Sequence, residues 1–242
     1  MVRSPRLPAD LRVYAIGDIH GRADLLDELY GMIERDGAGA AQTRRVIVHL
    51  GDYVDRGPHS RRVLDRLVGG PPDGFDAVYL KGNHEDLMLR FLADRQYASI
   101  WFSNGGIETL ASYGVAIDSG GRPRPLEELH AAFVAGLPRE HVDFLGRLKA
   151  FHAEGSYFFV HAGVRPGVPL DRQDVEDLMW IRDVFLASQA DHGKIVVHGH
   201  SISFAPEMLA NRIGIDTGAY VTGRLTGLVL WGDAHALLQT AT

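Results

Sequence analysis

Asp18 and His20, Asp52, Asn83 and His84, His161, and His198 with His200 are the residues whose types and spacing could do chemistry in this chain. Two carboxylates, one amide and several imidazoles offer oxygen and nitrogen donors suited to manganese, iron or zinc; calcium asks for more oxygens. A pair of such ions about 3.5 to 4 Å apart would clamp a phosphoryl group and activate a water between them. Glycines stand beside the donors in "GDIHG" (17–21), "GDYVDRG" (51–57), "GNHE" (82–85), "HAG" (161–163) and "HGH" (198–200), where they let the backbone turn sharply and approach a ligand. Taken singly, these residues have plainer readings: Asp18 could cap a helix, and Gly82-Asn83 could be an ordinary turn. Coincidence becomes a poor account only when all the positions are taken together.

Each donor group follows a short apolar run: "RVYAIGD" (12–18), "RVIVHLGD" (45–52), "AVYLKGN" (77–83), "YFFVHAG" (157–163), "IVVHGH" (195–200) and "RIGIDTG" (212–218). Such runs read as buried strands. Between the early ones, Leu25, Leu26, Leu29, Met32 and Ile33, then Val63, Leu64, Leu67 and Val68, then Leu87, Leu89, Phe91 and Leu92 fall at helical spacing. The alternation predicts an α/β fold with helices packed on a mainly parallel sheet, whose strand ends gather the donors at the edge where open α/β sheets bind ligands. From about 95 to 150 the pattern changes to "SNGGIETLASYG", "SGGRPRP" and "LEELHAAFVAGL", which read as a largely helical cap inserted between core segments of about 11–94 and 151–242. The whole chain, 1–242, is then a single domain, and "RLTGLVLWGD" (224–233) is expected to complete its sheet. His49, inside "VIVHL", reads as a satisfied core histidine, while His130, His141, His152 and His235 fall on helical or exposed stretches and read as structural or solvated.

Bulk properties bound the function. The chain has 242 residues, of which 45% are hydrophobic, enough to bury a substantial core. A formal charge of -6 supplies no global basic field, so neither nucleic acid nor a membrane surface is an expected partner. The absence of cysteine removes disulfides, thiolate metal sites and cysteine nucleophiles, and suits the cytoplasm. The N-terminal "MVRSPRLPAD" lacks the apolar run of a secretory signal, and no stretch approaches the roughly 18 apolar residues of a membrane span. A cytoplasmic monomer is expected.

The five motifs, in this order, resemble the phosphoprotein phosphatase family of binuclear metallophosphoesterases, in the style of its short prokaryotic and phage members. The resemblance covers the core on both sides of the cap. It implies a calcineurin-like metallophosphoesterase fold, a central β-sandwich of two mixed sheets flanked by helices, in place of one parallel sheet. It also implies two divalent ions, Mn2+ first with Fe or Zn as alternatives: Asp18 and His20 on the first, Asp52 bridging, and Asn83, His161 and His200 completing the second. Arg56 and Arg182 match the family's phosphate-binding arginines, although "LMWIRDVFL" also reads as an amphipathic helix with Arg182 on its solvated face. His84 matches the residue that protonates the leaving group, with Asp55 holding its ring and raising its pKa, after direct attack by a metal-bridging hydroxide. In "HGH" the family's "GH" pair selects His200; His198 supports a ligand or is structural. Asp216 in "GIDTGA" either hydrogen-bonds a ligand or forms a turn.

The resemblance implies a serine/threonine protein phosphatase, with phosphotyrosine within its range, acting on a phosphorylated protein or peptide or a small phosphoester. The alternative enzyme is a dinucleoside polyphosphate hydrolase of the diadenosine tetraphosphate type, which shares most of the motifs; Tyr53 and Val54 before "DRG" look more like the protein phosphatases. A phospho-ligand binding module without catalysis is a third reading, opposed by the presence of every ligand position, both arginines and the acid.

Overall fold

A computed structural model describes residues 5–119 and 121–241. The first four residues of "MVRSPRLPAD" and Gly120 of the Gly/Pro stretch lie outside the described residues. The elements run β1 (Leu11–Ile16), α1 (Ala23–Ala38), β2 (Arg44–His49), α2 (Ser60–Val68), β3 (Asp76–Tyr79) and α3 (Asn83–Ala93). The intervening segment carries α4 (Ala98–Ser103), α5 (Gly106–Ser112), the short hairpin β4 (Asp118–Ser119) and β5 (Arg122–Pro123), α6 (Leu126–Gly136) and α7 (Arg139–Leu145). Then follow β6 (Phe151–Glu154), β7 (Tyr157–Val160), α8 (Val175–Trp180), α9 (Asp183–Leu186), β8 (Ile195–His198), β9 (Glu207–Met208), β10 (Arg212–Gly214), α10 (Ala219–Thr222), β11 (Thr226–Trp231) and β12 (Ala234–Gln239).

The sandwich of two mixed sheets that the resemblance implies is present, as two five-stranded sheets ordered β12-β11-β1-β2-β3 and β6-β7-β8-β10-β9, in place of the one mainly parallel sheet that the apolar runs alone predict. In the first, the parallel strands β1, β2 and β3 run from the centre to one edge, with the antiparallel pairings of β11 and β12 on the other side; in the second, β7, β8 and β10 are parallel at the centre with β6 and β9 antiparallel at the edges. The reason the division escapes a reading of apolar runs is that strands covered on both faces look alike whichever sheet they join. Side-chain parity shows the layering. Val13, Ala15, Val46 and Val48 pack between the sheets with Phe159, Val197, Ile213 and Leu228. Tyr14, Ile16 and Ile47, at the alternate positions, face the helices with Leu26, Leu29, Val63, Met88 and Phe91. A third cluster, Phe158, Val160, Val196, Leu178 and Phe185, covers the outer face of the second sheet.

Every run expected as a strand contains one, and the three early helical spacings become α1, α2 and α3. The residues between α3 and β6 are mostly helical and share the core of the first sheet's helical face: Trp101, Leu110, Phe133 and Phe144 are all buried there. Trp101 stacks at 4.7 Å from Phe91 of α3 and 5.5 Å from Phe133 of α6, tying the cap to the helix that begins at Asn83.

Candidate metal centre

The donors meet because the chain leaves the parallel strands at the same end. Asp18 and His20 follow β1, Asp52 and Asp55 follow β2, Asn83 and His84 open α3 after β3, His161 follows β7, and His200 follows β8. The first two loops mesh backbone to backbone: the N–H groups of Ile19 and His20 donate to Asp52 O at 3.1 and 2.8 Å, and Gly21 N donates to Tyr53 O at 2.9 Å. Gly21 and Gly57 face each other in this seam, and a Cβ on Gly57 would strike the His20 carbonyl. Among the described residues, the five non-glycines with left-handed backbone are His20, Asp52, Asp55, Arg56 and His200 (φ +44, +53, +72, +66 and +63°). Such conformations are disfavoured for side-chain-bearing residues and persist where surroundings over-determine them; here all five carry candidate site side chains.

Backbone carbonyls select the histidine tautomers. His20 Nδ1 donates to Val54 O at 2.8 Å and His161 Nδ1 to Leu50 O at 2.9 Å, which turns both Nε2 lone pairs inward. His20 Nε2 lies 3.4 Å from Asp52 Oδ2, and His161 Nε2 lies 2.9 Å from Asn83 Oδ1, 3.2 Å from His200 Nδ1 and 3.4 Å from Asp52 Oδ1. Two groups of donor atoms converge, His20, Asp52 and His84, and Asp52, His161 and His200, each within 4.8 Å of one another and all buried. Asp52 belongs to both. Asp18 Oδ1, His84 Nε2 and His200 Nε2 are buried without a hydrogen-bond partner. Lone pairs converging with so few donors between them fit divalent cations, which would satisfy them where water cannot reach. The oxygen and nitrogen donor set agrees with a transition metal.

The expected ligands are therefore brought together, with one difference in detail. His84 Nε2, 3.8 Å from Asp52 Oδ2, also lies within reach of the first group of donor atoms, and Asp18 Oδ2 accepts from His200 N at 2.9 Å. Arg56 Nη1 donates to His20 Nε2 at 3.0 Å and its guanidinium lies 5.0 Å from the ring centroid of Tyr220, a residue the sequence reading did not single out. Arg182 is exposed at the rim, 3.5 Å from Ser201 Oγ, and the continuous helix of the alternative reading is broken there: α8 ends at Trp180 and α9 starts at Asp183. His198 turns away from the site toward Phe185, ring centroids 5.1 Å apart, because β8 ends at His198 and the chain then bends through His200, whose backbone is left-handed (φ +63°). Asp216 forms a turn, Oδ1 accepting from Gly218 N at 2.9 Å. His49 is buried against the Tyr30 hydroxyl at 2.8 Å.

A profile of the calcineurin-like phosphoesterases matches residues 11–236. The chain belongs to that family. A calcineurin-like phosphoesterase of this kind has relatives of more than one named activity. The chain is 27% identical over 231 residues, 88% of each chain, to bis(5'-nucleosyl)-tetraphosphatase PrpE [asymmetrical] of Bacillus mycoides (strain KBAB4). Its fold matches the crystal structure of a candidate diadenosine tetraphosphatase (TM-score 0.63, 20% identity, 97% of this chain and 100% of that one). It also matches a protein serine/threonine phosphatase from Saccharomyces cerevisiae (TM-score 0.56, 13% identity, 97% and 81%).

Within this phosphoesterase's centre, burial sets the charge balance. Burial pushes the Asp18 carboxyl well up, and Asp216 and Asp52 push it further. Burial would raise Asp52 too, but His161 and His84 outweigh it and hold that carboxyl well below the usual range. His200 falls to about 2 through burial and the neighbouring His161. The expected raised pKa of His84 is not met: burial outweighs Asp52 and lowers it to about 4, while burial drives Asp55 well up. The two are joined at 2.7 Å through His84 Nδ1 and Asp55 Oδ2, and burial disfavours a charge on either. Glu85 was also passed over. Its carboxylate accepts from the N–H groups of Asp52 (2.9 Å), Tyr53 (2.7 Å), Val54 (3.3 Å) and Gly82 (3.0 Å), pinning the second loop to the start of α3. Glutamate three residues into a helix after glycine is the signal that could have found it, because that position reaches back to the cap N–H.

Proposed function

We propose that this calcineurin-like phosphoesterase is a phosphomonoesterase of the protein serine/threonine phosphatase type, using His84 as the proton donor to the leaving group. The observation that carries this reading is the His84–Asp55 pair: a fully buried carboxylate 2.7 Å from Nδ1, with Nε2 unpartnered and facing Asp52. An alkoxide leaving group is a strong base that gains greatly from protonation, whereas a nucleotide phosphate leaves as a stable anion and gains little. A built-in proton donor therefore favours ester over anhydride substrates. Two divalent ions held by Asp18, His20, Asp52, Asn83, His161 and His200, Mn2+ being the first candidate, would supply water activation and neutralisation of phosphoryl charge. Arg56 grips the phosphate from inside the cleft, and Arg182 reaches it from the rim with a planar fork of donors. The partner is a phosphorylated peptide segment or small phosphoester, bound by a monomer.

A second reading, hydrolysis of a dinucleoside tetraphosphate, is favoured by the name of the curated relative at 27% identity. Release of phosphate from a phosphoserine peptide, set against release of nucleotides from diadenosine tetraphosphate with Mn2+ present, separates the two. The ester reading expects kcat/KM for the peptide to exceed that for the dinucleotide, and His84→Asn to lose about 10²-fold or more on the peptide. A preference for the dinucleotide with His84→Asn unimpaired rejects it.

A further inference from the structure

The Asp55 carboxylate is held from the cap. Its Oδ1 accepts from the Thr109 hydroxyl at 2.6 Å, and both oxygens lie within 3.2 Å of the Trp101 indole N–H, at 3.0 Å for Oδ2. Thr109 Oγ1 also accepts from Asp55 N at 2.9 Å, so one hydroxyl fixes the residue at both ends. Asp55, Trp101 and Thr109 are all fully buried. The next residue is held from the same place: Arg56 N donates to Gly105 O at 3.2 Å, and a Cβ on Gly105 (φ +95°) would stand 2.7 Å from Arg56 N. Residues 101–109 thus contact the two consecutive left-handed residues that carry the ring-orienting carboxylate and the inner arginine.

We propose that this stretch of the cap is a positioning element for proton delivery: Trp101 and Thr109 orient the Asp55 carboxylate, which in turn orients His84 toward the leaving group. The proposal rests on the proton-donor reading above and gives the cap a part in the reaction separate from any contact with substrate. A carboxylate with four lone-pair directions could bond His84 in several geometries; the indole and hydroxyl occupy the others and leave one for Nδ1.

The test uses Thr109→Val, Trp101→Phe and Thr109→Ser in the full chain loaded with Mn2+, assayed on an alkyl phosphate and on p-nitrophenyl phosphate. The aryl oxide leaves readily without a proton; the alkoxide does not. Thr109→Val and Trp101→Phe are expected to lower kcat on the alkyl phosphate by about tenfold or more and on the aryl phosphate by less than about threefold, with KM little changed. Thr109→Ser, which keeps the hydroxyl, is expected to restore the alkyl rate. Equal losses on both substrates, or none on either, while His84→Asn remains selective for the aryl phosphate, overturn the positioning role. A His84→Asn chain with no such selectivity overturns the proton-donor reading and this proposal with it. Fluorescence gives a second readout without turnover. The chain has three tryptophans, and Trp180→Phe with Trp231→Phe leaves Trp101 alone; Asp55→Asn is then expected to shift its emission, and an unchanged spectrum overturns the indole contact.

Discussion

At the scale of single residues, the site works by forcing polar groups into positions that cost free energy elsewhere. Glu85 offsets part of that cost by accepting from four backbone N–H groups, and a hydrogen bond is worth a net of about 0.5–1.5 kcal/mol. Glu85→Gln turns one of its acceptor oxygens into an NH2 that faces those donors. It is expected to lower stability by about 3 kcal/mol, measured by urea unfolding, and to lower kcat because Asp52 is released from its left-handed backbone. His49 shows the same economy away from the chemistry. Burial lowers its pKa to about 3, so the folded chain refuses a proton that the unfolded chain accepts below about 6.5. The unfolded state then binds more protons, and stability from this group is intact above pH 6.5 and lost as pH falls toward 3, by about 1.4 kcal/mol per unit. Chemical denaturation across that range is expected to give a flatter pH dependence for His49→Gln than for the native chain.

At the scale of elements, the centre is a meeting of loops that leave parallel strands at one end, and their packing tolerates no added atoms. Gly57→Ala would drive a methyl into the His20 carbonyl in the seam between the first two loops. The expected cost is about 1–3 kcal/mol of stability, with a larger effect on turnover, because displacing a reacting group by about 1 Å costs on the order of 10²-fold. Comparing thermal unfolding with kcat for this variant checks whether activity falls before the fold does. The placing of donors at strand ends was legible in the sequence, since each apolar run ends in its donor, and the family resemblance chose His200 over His198. The break between α8 and α9 was not. Ile181 is buried, and the spacing of apolar residues continues across Arg182 as though one helix ran through, but Arg182 itself has φ -130° and ψ -102°.

At the scale of the molecule, metal loading and folding are coupled, because ions that bind only the native centre stabilise it by mass action. At a free metal concentration about 100 times Kd, one site adds about 2.7 kcal/mol, which for a chain of this size raises Tm by roughly 5–10 °C. Calorimetry of the chelator-treated chain, with and without added Mn2+, is expected to show that rise, and Asp52→Asn, which lies in both donor groups, to abolish most of it. The sequence by itself determined the donor set, its order and the helix-strand alternation, because residue type and short-range period are local properties written along the chain. Only the tertiary structure decided which strand joins which of the two sheets, since a strand covered on both faces carries no mark of which partner covers it. Only the fold, likewise, brings Trp101 and Thr109, 46 and 54 residues away in sequence, onto the carboxylate of Asp55. A hydrogen bond of that span leaves no periodic trace; it exists because the cap packs its aromatic core onto α3.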